Sequence, residues 1–433
     1  MSEWPTVRFG DLFQIKHGFA FKGEYFSDEP GPVVLTPGNF EARGGLKLRP
    51  GKDRSYDGEF PEAFKLKVGE LLVVMTDLTQ EAAILGAPAF VSSDIACLHN
   101  QRLGKIVDLK ADRLDLRFLY YLCNTHDYRE YLRSTATGST VKHTSPGRIC
   151  DFAVSLPPIE TQRRIAGILG AYDDLIEVNR RRIAVLKEMA QALFTEWFTH
   201  LRFPGHEDVV IEDTPEGRLP SGWVIATLGE LCAGKSGIQT GPFGSQLHQE
   251  DYADEGVPVV MPKNIIDLRI ETDGIARIPP AIANSLGRHL MVEGDVVYGR
   301  RGDIGRRALI SRAEAGYFCG TGCLRLRPDK NKTVPHYLFM ALGTPETEGA
   351  IKARATGATM PNLNVGVMQD VPVLNPPVAI QRKFDAIIGP IQETITNLVS
   401  SSANLAAARD LLLPRLVSGQ LSVTQAKREL EAA

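Results

Sequence analysis

The sequence predicts an α+β protein with two related α/β globular domains and two long helices that pack as a coiled coil. Two observations predict this fold class. The first is an internal repeat of about 220 residues, far longer than the units of a solenoid. The second is a run of apolar residues at helical spacing that follows the same motif in both copies. Each half of the chain is therefore expected to be a globular part followed by a long helix.

The repeat is defined by motifs that return at one fixed offset. An offset of 219 residues relates Ala136-Thr137-Gly138 to Ala355-Thr356-Gly357, Asp151 to Asp370, Pro157-Pro158 to Pro376-Pro377, and Gln162-Arg163 to Gln381-Arg382. The offset grows to about 225 in the middle of the copies, so the insertions lie inside the globular parts. The inner segments 17–110 and 236–330 diverge. This divergence indicates two scaffolds of one kind that carry two different surfaces.

The long helices are predicted from their apolar stripes. The first stripe contains Ile165, Ile168, Tyr172, Leu175, Ile183, Leu186, Ala190, Leu193 and Trp197, and the second contains Phe384, Ile387, Ile391, Leu398, Leu405, Leu412 and Leu416. The paired prolines before each stripe suit a first helical turn, where the missing N–H has no partner to lose. A helix of roughly 40 residues spans about 60 Å and must bury such a stripe, and its own repeat is the nearest candidate. The alternative is that each helix folds onto the core of one domain.

Short β-rich runs and turns fill the globular parts. Strands are predicted at 33–35, 71–75 and 153–156, and a short helix at 117–125. The second copy repeats the plan at 257–261, 294–300 and 336–344, after a polar stretch that is typical of a linker. The predicted boundaries are a first domain at 1–158, a central long helix at 159–205, a linker with the second domain at 206–377, and a C-terminal long helix at 378–433.

The bulk composition limits the classes of protein. No apolar run reaches the roughly 18 residues that a membrane-spanning helix needs. The 6 cysteines have no spacing typical of a zinc site, which predicts a reduced, cytoplasmic protein without a structural metal. The net charge of −3 gives no global attraction for nucleic acid, so any DNA binding must come from local clusters.

Two enzyme signatures are present, and neither has the expected context. Residues 229–236 satisfy the phosphate-loop pattern, but glycines and a proline follow where a helix should begin. Asn375-Pro376-Pro377-Val378 resembles the adenine methyltransferase signature, with valine in place of the aromatic residue. The start of the second long helix explains this motif better.

The candidate DNA-binding residues are polar side chains in turns. In the second copy, Arg300, Arg301, Arg306 and Arg307 suit bidentate contacts with guanine edges and phosphates, although a solvated charge cluster is the alternative. The corresponding first-copy stretch offers Thr76, Asp77 and Thr79, which favour different base partners. The other candidates in these divergent parts are Lys22, Asn39, Gln101 and Arg102 in the first copy, and Thr240, Ser245, Gln246 and Asn264 in the second.

The loops after Ala-Thr-Gly are further candidates because both copies keep them. The candidate residues are Ser139, Thr140 and Lys142 in the first copy, and Thr359, Asn362 and Asn364 in the second. Such a shared loop could contact phosphate, which positions a protein without specifying sequence. It could equally be a shared packing turn.

Several of these motifs together resemble one family, the specificity subunit of type I restriction–modification systems. The motifs are GFAFKGEYF, TGPFGSQL, the Ala-Thr-Gly loop with LPPIETQRRI, FTEWFTHLRFPG, GRLPSGW and LLLPRLVSGQL. They occur in the family's order, duplicated, from Trp4 to about Leu421. The resemblance implies two target-recognition domains in pseudo-twofold repeat, separated by two long antiparallel helices.

The resemblance also implies a function. The chain would be a non-catalytic subunit that reads a bipartite, asymmetric site in double-stranded DNA, one domain for each half-site. Its helices would dock two methyltransferase (M) subunits, and restriction (R) subunits would join them. S-adenosylmethionine, ATP and Mg²⁺ would belong to those partners, with no cofactor on this chain. The alternatives are an assembly scaffold that reads no bases, or a self-contained adenine methyltransferase or NTPase.

One residue departs from the symmetry of the two helices. Pro390 stands in the second helix where the first has Ala171. Because proline removes a helical hydrogen bond, a kink is expected there. The two docking faces are therefore not expected to be identical.

Overall fold

The computed structural model describes residues 4–49, 51–91, 96–243, 246–301, 304–355 and 362–431. The chain forms two compact units, each described separately below. Unit 1 comprises Met1–Arg180 and Ser400–Ala433, and unit 2 comprises Arg181–Val399. The unit boundaries fall inside the two longest helices, Ile159–Phe194 (the first long helix) and Val378–Val417 (the second long helix). Each unit thus contains one globular part and one portion of each long helix.

Two four-stranded sheets form the globular part of unit 1. In order across the sheets, the strands are Gln14–His17, Leu103–Val107, Leu71–Val74 and Pro88–Phe90 in one, and Phe26–Ser27, Ser55–Tyr56, Val33–Leu35 and Cys97–His99 in the other. Two further strand pairs are Thr6–Arg8 with Ala153–Ser155 and Thr76–Asp77 with Lys142–His143. The shorter helices are Leu116–Leu122, His126–Thr135, Pro146–Cys150 and Val423–Glu431.

Unit 2 repeats this plan with one strand fewer in its second sheet. Its four-stranded sheet contains Ile238–Thr240, Cys323–Leu326, Val296–Gly299 and Arg307–Leu309, and a three-stranded sheet contains Arg277–Ile278, Val257–Val260 and Phe318–Cys319. Three strand pairs are Ile211–Thr214 with Gly217–Pro220, Val224–Thr227 with Pro372–Asn375, and Ile265–Ile266 with Arg269–Ile270. The shorter helices are Leu228–Leu231, Pro280–Ser285, Pro335–Ala341, Pro345–Arg354 and Val365–Gln369.

These elements confirm the strands and short helices that the sequence predicts. The predicted strand at 33–35 is present as Val33–Leu35, and its repeat is present as Val257–Val260. The linker expectation needs a correction, because a β-hairpin occupies much of that stretch, with Ile211 opposite Pro220. The polar and glycine residues that suggest a linker instead form the tight turn of the hairpin and its exposed side.

The long helices pack antiparallel within unit 1. Asp173 of the first forms an ion pair with Arg409 of the second. Six residues further along the first helix, Asn179 donates to Ser402, at 3.2 Å. Contacts that advance along one helix and recede along the other define the antiparallel direction. Apolar residues of both helices join one core with the globular part, so the coiled-coil and domain-core interpretations each hold in part.

In unit 2 a π-helical turn, Thr195–Thr199, continues the first long helix and packs against the start of the second. The ring centroids of Phe198 and Phe384 are 5.0 Å apart, and those of Trp197 and Phe384 are 5.8 Å apart. Tyr337 of the globular part lies 4.7 Å from Phe198, so this aromatic cluster joins both helices to the domain core. Aromatic pairs at such distances stabilise a core beyond their area of contact.

The apolar stripes are not buried along their whole length. Leu175 is 52% exposed and Ile387 is 45% exposed, whereas the neighbouring Leu169 and Ile388 are fully buried. A stripe at helical spacing predicts which face of the helix is apolar. It does not predict which residues of that face are buried and which lie at its exposed rim. The second long helix also remains helical through the exposed Pro390, on the side of the helix away from the packed face.

In each unit an ion pair joins a hairpin tip to a long helix. The tips are the turn between the bridged residues Phe40 and Leu46 in unit 1 and the turn between Ile266 and Arg269 in unit 2. In unit 1 the Arg43 guanidinium lies 2.8 Å from the Asp410 carboxylate of the second long helix. In unit 2 Lys187 of the first long helix lies 2.5 Å from the Asp267 carboxylate of its hairpin. The charges are reversed between the two units.

A buried glutamine joins each long helix to its globular part. Gln162 is 0% exposed. Its amide nitrogen donates to the carbonyl oxygens of Arg113 and Pro157, both at 2.8 Å, and its oxygen accepts from the Asp115 N–H at 2.9 Å. Both N–H donors of the amide are therefore hydrogen-bonded, as is usual for a buried polar side chain.

Gln381 makes the equivalent contacts in unit 2. Its nitrogen donates to the Pro376 carbonyl at 2.7 Å and to Asn375 Oδ1 at 2.8 Å. Its oxygen accepts from the Val334 N–H at 2.9 Å and from the Thr333 hydroxyl at 3.0 Å. The repeated Gln-Arg motif therefore fixes the first turn of each long helix against the short helix of its domain.

No helix in the described parts of the chain combines the length and the apolar character that crossing a bilayer needs.

We expect Gln162→Glu to destabilise unit 1 strongly at neutral pH. The isosteric carboxylate replaces the two N–H donors with an oxygen that faces two carbonyl groups. Loss of these bonds in a buried site costs roughly 3 kcal/mol or more, which corresponds to a fall in Tm of about 6–12 °C. Because burial among carbonyls raises the pKa of the new carboxyl in the folded state, the difference from wild type should narrow as the pH falls toward 4–5, roughly.

Thermal unfolding followed by circular dichroism measures this effect. Arg163→Ala, on the exposed neighbouring position, is the matched control and should leave Tm nearly unchanged. Equal Tm values for Gln162→Glu and Arg163→Ala would contradict the structural role of the buried amide.

Candidate nucleic-acid interface

Two backbone hydrogen bonds connect three of the predicted binding loops in unit 1. The Met75 N–H donates to the Arg102 carbonyl, and the Thr144 N–H donates to the Met75 carbonyl, both at 2.9 Å. The first bond links the turn at 99–102 to the end of the central strand. The second links that strand end to the loop after Ala-Thr-Gly. Residues that are distant in sequence therefore meet at one edge of the domain.

Unit 2 has the same pair of hydrogen bonds at equivalent positions. The Arg300 N–H donates to the Gly322 carbonyl at 3.0 Å, and the Leu363 N–H donates to the Arg300 carbonyl at 2.9 Å. The arginine stretch is thereby placed beside Asn362, whose side-chain oxygen accepts from Arg300 at 3.3 Å. The structure brings together groups that the sequence predicts only separately.

A fourth loop approaches this edge through a glycine in each unit. The Phe19 N–H donates to the His99 carbonyl at 2.8 Å, and the Gly241 N–H donates to the Cys323 carbonyl at 3.0 Å. A Cβ atom at Gly18 would overlap with the Asn100 carbonyl, and one at Gly241 would overlap with the Gly320 carbonyl. Only glycine permits this close approach of two backbones. We call the resulting set of four loops the four-loop edge of each unit.

The loop after Ala-Thr-Gly in unit 1 is a closed turn. Thr137 and His143 exchange both backbone hydrogen bonds, at 3.0 and 2.8 Å. Gly138 has a φ of +99°, and a side chain there would also overlap with the Val141 carbonyl. Ser139 and Thr140 form the exposed tip of this turn. In unit 2 the equivalent tip, with Thr359, lies outside the described residues, as does Ser245.

The remaining predicted residues divide by exposure. The exposed ones are Lys22, Thr79, Gln101, Arg102, Ser139, Thr140, Arg301 and Asn364. The half-buried ones are Lys142, Gln246, Arg306 and Asn362. The buried ones are Asn39, Thr76, Asp77, Thr240, Asn264, Arg300 and Arg307. Only the first two groups can offer side chains to a ligand without rearrangement.

Asn39 and Asn264 are structural residues that the sequence does not distinguish from binding residues. Asn39 is 0% exposed, and its oxygen accepts from the Thr36 N–H at 2.9 Å. Asn264 is 4% exposed, and its oxygen accepts from the Met261 N–H at 3.1 Å. Each closes a turn after the equivalent strand, so their polar atoms are used inside the protein.

Arg307 and Asp77 likewise serve the interior. Arg307 donates to the Phe339 carbonyl at 3.0 Å and lies 3.3 Å from Glu348. Burial lowers the pKa of this guanidinium, and the adjacent Tyr298 and Glu348 oppose that effect. Asp77 accepts three hydrogen bonds from its own loop. Both residues shape the loops that carry their exposed neighbours.

His143 is a candidate that sequence reasoning missed. It is exposed, and its Nδ1 lies 3.0 Å from the Thr76 hydroxyl. In the register of this strand pair, His143 is opposite Thr76 and Lys142 is opposite Asp77. The sequence could have indicated His143, because it directly follows Lys142 in a loop that both copies contain. An imidazole there adds a hydrogen-bonding group to the four-loop edge.

The two enzyme signatures have other structural roles. A strand, Ile238–Thr240, follows residues 229–236, whereas a phosphate loop leads into a helix. Asn375 accepts a hydrogen bond from Gln381 at 2.8 Å and so supports the start of the second long helix. Within the described residues, no three His, Cys, Asp or Glu side chains are grouped closely enough to bind a metal ion.

The family model for the type I restriction modification DNA specificity domain matches residues 1–188 and 220–402. Among curated proteins, the chain is 26% identical over 310 residues to the type I restriction enzyme MjaIX specificity subunit of Methanocaldococcus jannaschii, which covers 71% of this chain and 69% of that protein. It is 22% identical over 441 residues to the type I restriction enzyme EcoBI specificity subunit of Escherichia coli, which covers 97% of this chain and 86% of that protein.

A solved structure has the same fold over nearly the whole chain. The crystal structure of the type I restriction–modification S subunit from M. genitalium aligns with a TM-score of 0.58 at 18% identity, covering 95% of this chain and 96% of that one. The matched segments account for both globular parts and most of both long helices. With its duplicated four-loop edge, this chain belongs to the family of type I restriction–modification DNA specificity subunits.

Proposed function

We propose that this chain reads a bipartite, asymmetric DNA sequence, with one four-loop edge for each half-site. The observation that carries the proposal is the repetition of one backbone arrangement with different side chains. Met75 makes this pair of hydrogen bonds in unit 1 and Arg300 makes it in unit 2. The exposed residues that follow differ, with Thr79 in unit 1 and Arg301 in unit 2. A shared frame with exchanged side chains suits a protein that must recognise two different sequences in the same manner.

The exposed side chains at these edges have the chemistry for DNA. Lys22 and Arg102 are exposed cationic groups of unit 1, and Arg301 is an exposed cationic group of unit 2. The half-buried Lys142 and Arg306 add a further cation to each unit. Arginine can bind guanine in the major groove or a phosphate, and glutamine suits adenine. Gln101 lies beside Arg102 in one exposed turn, so base reading and phosphate contact can occur side by side. These local cations can attract DNA although the net charge of the chain is −3.

The helices offer a surface for partner subunits. In unit 1 an apolar groove lies between the two long helices, lined by Gly167, Ala171, Leu175 and Leu405, with Arg164 at its edge. Gly167 and Ala171 are one helical turn apart, which lets an incoming helix approach closely. We propose that methyltransferase subunits dock on these helices. Restriction subunits then join through them, and S-adenosylmethionine, ATP and Mg²⁺ bind to those partners.

Two other functions remain distinguishable by experiment. An assembly scaffold that reads no bases would bind methyltransferase subunits but bind all DNA sequences alike. A self-contained adenine methyltransferase would bind S-adenosylmethionine without a partner. The involvement of Asn375 in an internal hydrogen bond with Gln381 disfavours the second alternative.

Exchange of residues 17–110 for those of another specificity subunit should change one half of the recognised site only. Unit 1 contains this entire segment, and the backbone hydrogen bonds that join the loops of its edge are made by residues of unit 1. Single-molecule sequencing of methylated DNA from cells that carry the variant and its partners measures the motif. A change in both halves would contradict independent reading.

Replacement of Arg301 by alanine should weaken specific binding by about 1–3 kcal/mol if the guanidinium contacts a base, with relaxed discrimination at one position. If it contacts a phosphate, all sequences should weaken alike and the salt slope should fall by about 1. Fluorescence anisotropy at several salt concentrations separates these cases. Arg312→Ala removes the same charge from an exposed turn after the Arg307–Leu309 strand and is the control. Equal binding by both variants and wild type would exclude Arg301 from the interface.

Replacement of Gly167 by leucine should block partner docking without unfolding unit 1. No atom lies within 4 Å of a Cβ placed at Gly167, and leucine favours a helix more than glycine does. Because the added side chain occupies the groove, affinity for the methyltransferase subunit should fall about tenfold or more. Isothermal titration calorimetry measures this change. Gly349→Leu, another helical position with open space, is the control and should bind normally. Normal docking by Gly167→Leu would place the contact elsewhere.

A further inference from the structure

A buried aspartate fixes the loop that leaves the central strand of unit 1. Asp77 is 1% exposed. Its Oδ1 accepts from the N–H and the hydroxyl of Thr79, at 2.9 and 2.8 Å, and its Oδ2 accepts from the Ile84 N–H at 2.8 Å. One carboxylate thus closes both the start and the end of the segment 77–84.

Arg129 anchors the same loop from the neighbouring helix. Its guanidinium donates to the Ala83 carbonyl at 2.6 Å and to the Ala42 carbonyl at 3.1 Å. Arg129 is only 6% exposed, and Ala82 and Leu85 are buried as well. Since both ends are held by buried contacts, the loop is ordered before any ligand arrives, and binding does not need to order it.

Leu78 lies between these anchors with its side chain in solvent. It is 57% exposed, and Thr79 and Gln80 beside it are exposed too. A single exposed leucine is common on protein surfaces and does not by itself indicate a binding site. The position of Leu78 in the fold is what indicates a role in binding. The preceding residue Asp77 is opposite Lys142, so Leu78 belongs to the four-loop edge of unit 1.

We propose that Leu78 is a specificity-determining residue that packs against the 5-methyl group of a thymine in the half-site read by unit 1. The inference rests on the proposed function and extends it to one residue and one chemical group. Thymine is the base that offers an apolar group in the major groove, and apolar side chains read it by contact. The polar neighbours Thr79 and Gln80 can form hydrogen bonds with base edges, whereas Leu78 has no hydrogen-bonding group in its side chain and suits the methyl group.

Deoxyuridine substitution tests the contact because it removes this methyl group alone. The recognised sequence is first read by methylome sequencing of cells that carry the full chain and its methyltransferase subunits. Duplexes with this sequence then receive deoxyuridine in place of each thymine in turn, and binding to the assembled complex is measured. Wild type should lose about fourfold in affinity at one position, since a buried methyl group is worth about 0.8 kcal/mol. Leu78→Ala should bind the unmodified duplex more weakly and lose nothing further at that position.

Val68→Ala is the matched control, because Val68 is 73% exposed and precedes the strand whose other end leads to Leu78. It should retain the full effect of deoxyuridine. An equal loss for wild type and Leu78→Ala at every deoxyuridine would overturn the proposal, as would a half-site without an A·T pair. An altered DNA bend in Leu78→Ala without any methyl dependence would make Leu78 a wedge between base pairs and also overturn it. Sequence-independent binding by wild type would instead contradict the proposed function itself.

Discussion

The whole arrangement depends on one buried amide in each unit. Gln162 and Gln381 lie in the first turn of a long helix, yet most of their hydrogen bonds reach the globular part or the proline turn before the helix. Burial of an amide destabilises the folded state unless its N–H and C=O groups are hydrogen-bonded. These hydrogen bonds therefore fix the position of the helix against the domain. The aromatic and aliphatic cores stabilise the contact between helix and domain, but apolar contacts are not directional. The hydrogen bonds of the two glutamines are directional and set the position of the helix.

Backbone hydrogen bonds join the loops of the four-loop edge, and buried side chains such as Asp77 fix the shape of single loops. Equivalent N–H and carbonyl groups join the loops in both units, and glycines at Gly18 and Gly241 permit the closest approach. Because the backbone sets the frame, the side chains that point outward can change without loss of the fold. This separation explains how two units of one architecture present threonine and glutamine in one case and arginine in the other.

The sequence predicts repeated elements well and side-chain roles poorly. The offset of the repeat and the helical stripes locate the strands, short helices and long helices, because these signals depend on local periodicity. Exposure depends on distant residues instead. Asn39 and Gln101 both stand in polar turns, yet one closes a turn and the other faces solvent. Arg307 stands six residues after Arg301, but only tertiary contact with Glu348 reveals that it is internal. The hairpin at 211–220 is missed because polar composition also describes a linker.

The reversed ion pairs at the hairpin tips restrict how recognition modules can be exchanged. Arg43 meets an aspartate on a helix, whereas Asp267 meets a lysine on a helix. By the offset of 219 residues, Asp410 corresponds to Gln191 of the first long helix, and Lys187 corresponds to Ala406 of the second. A recombinant that moved each globular part to the other position would therefore lose both attractions, each of which contributes at most about 1 kcal/mol. Gene shuffling within this chain therefore favours replacement of a module by one from the same position in another protein.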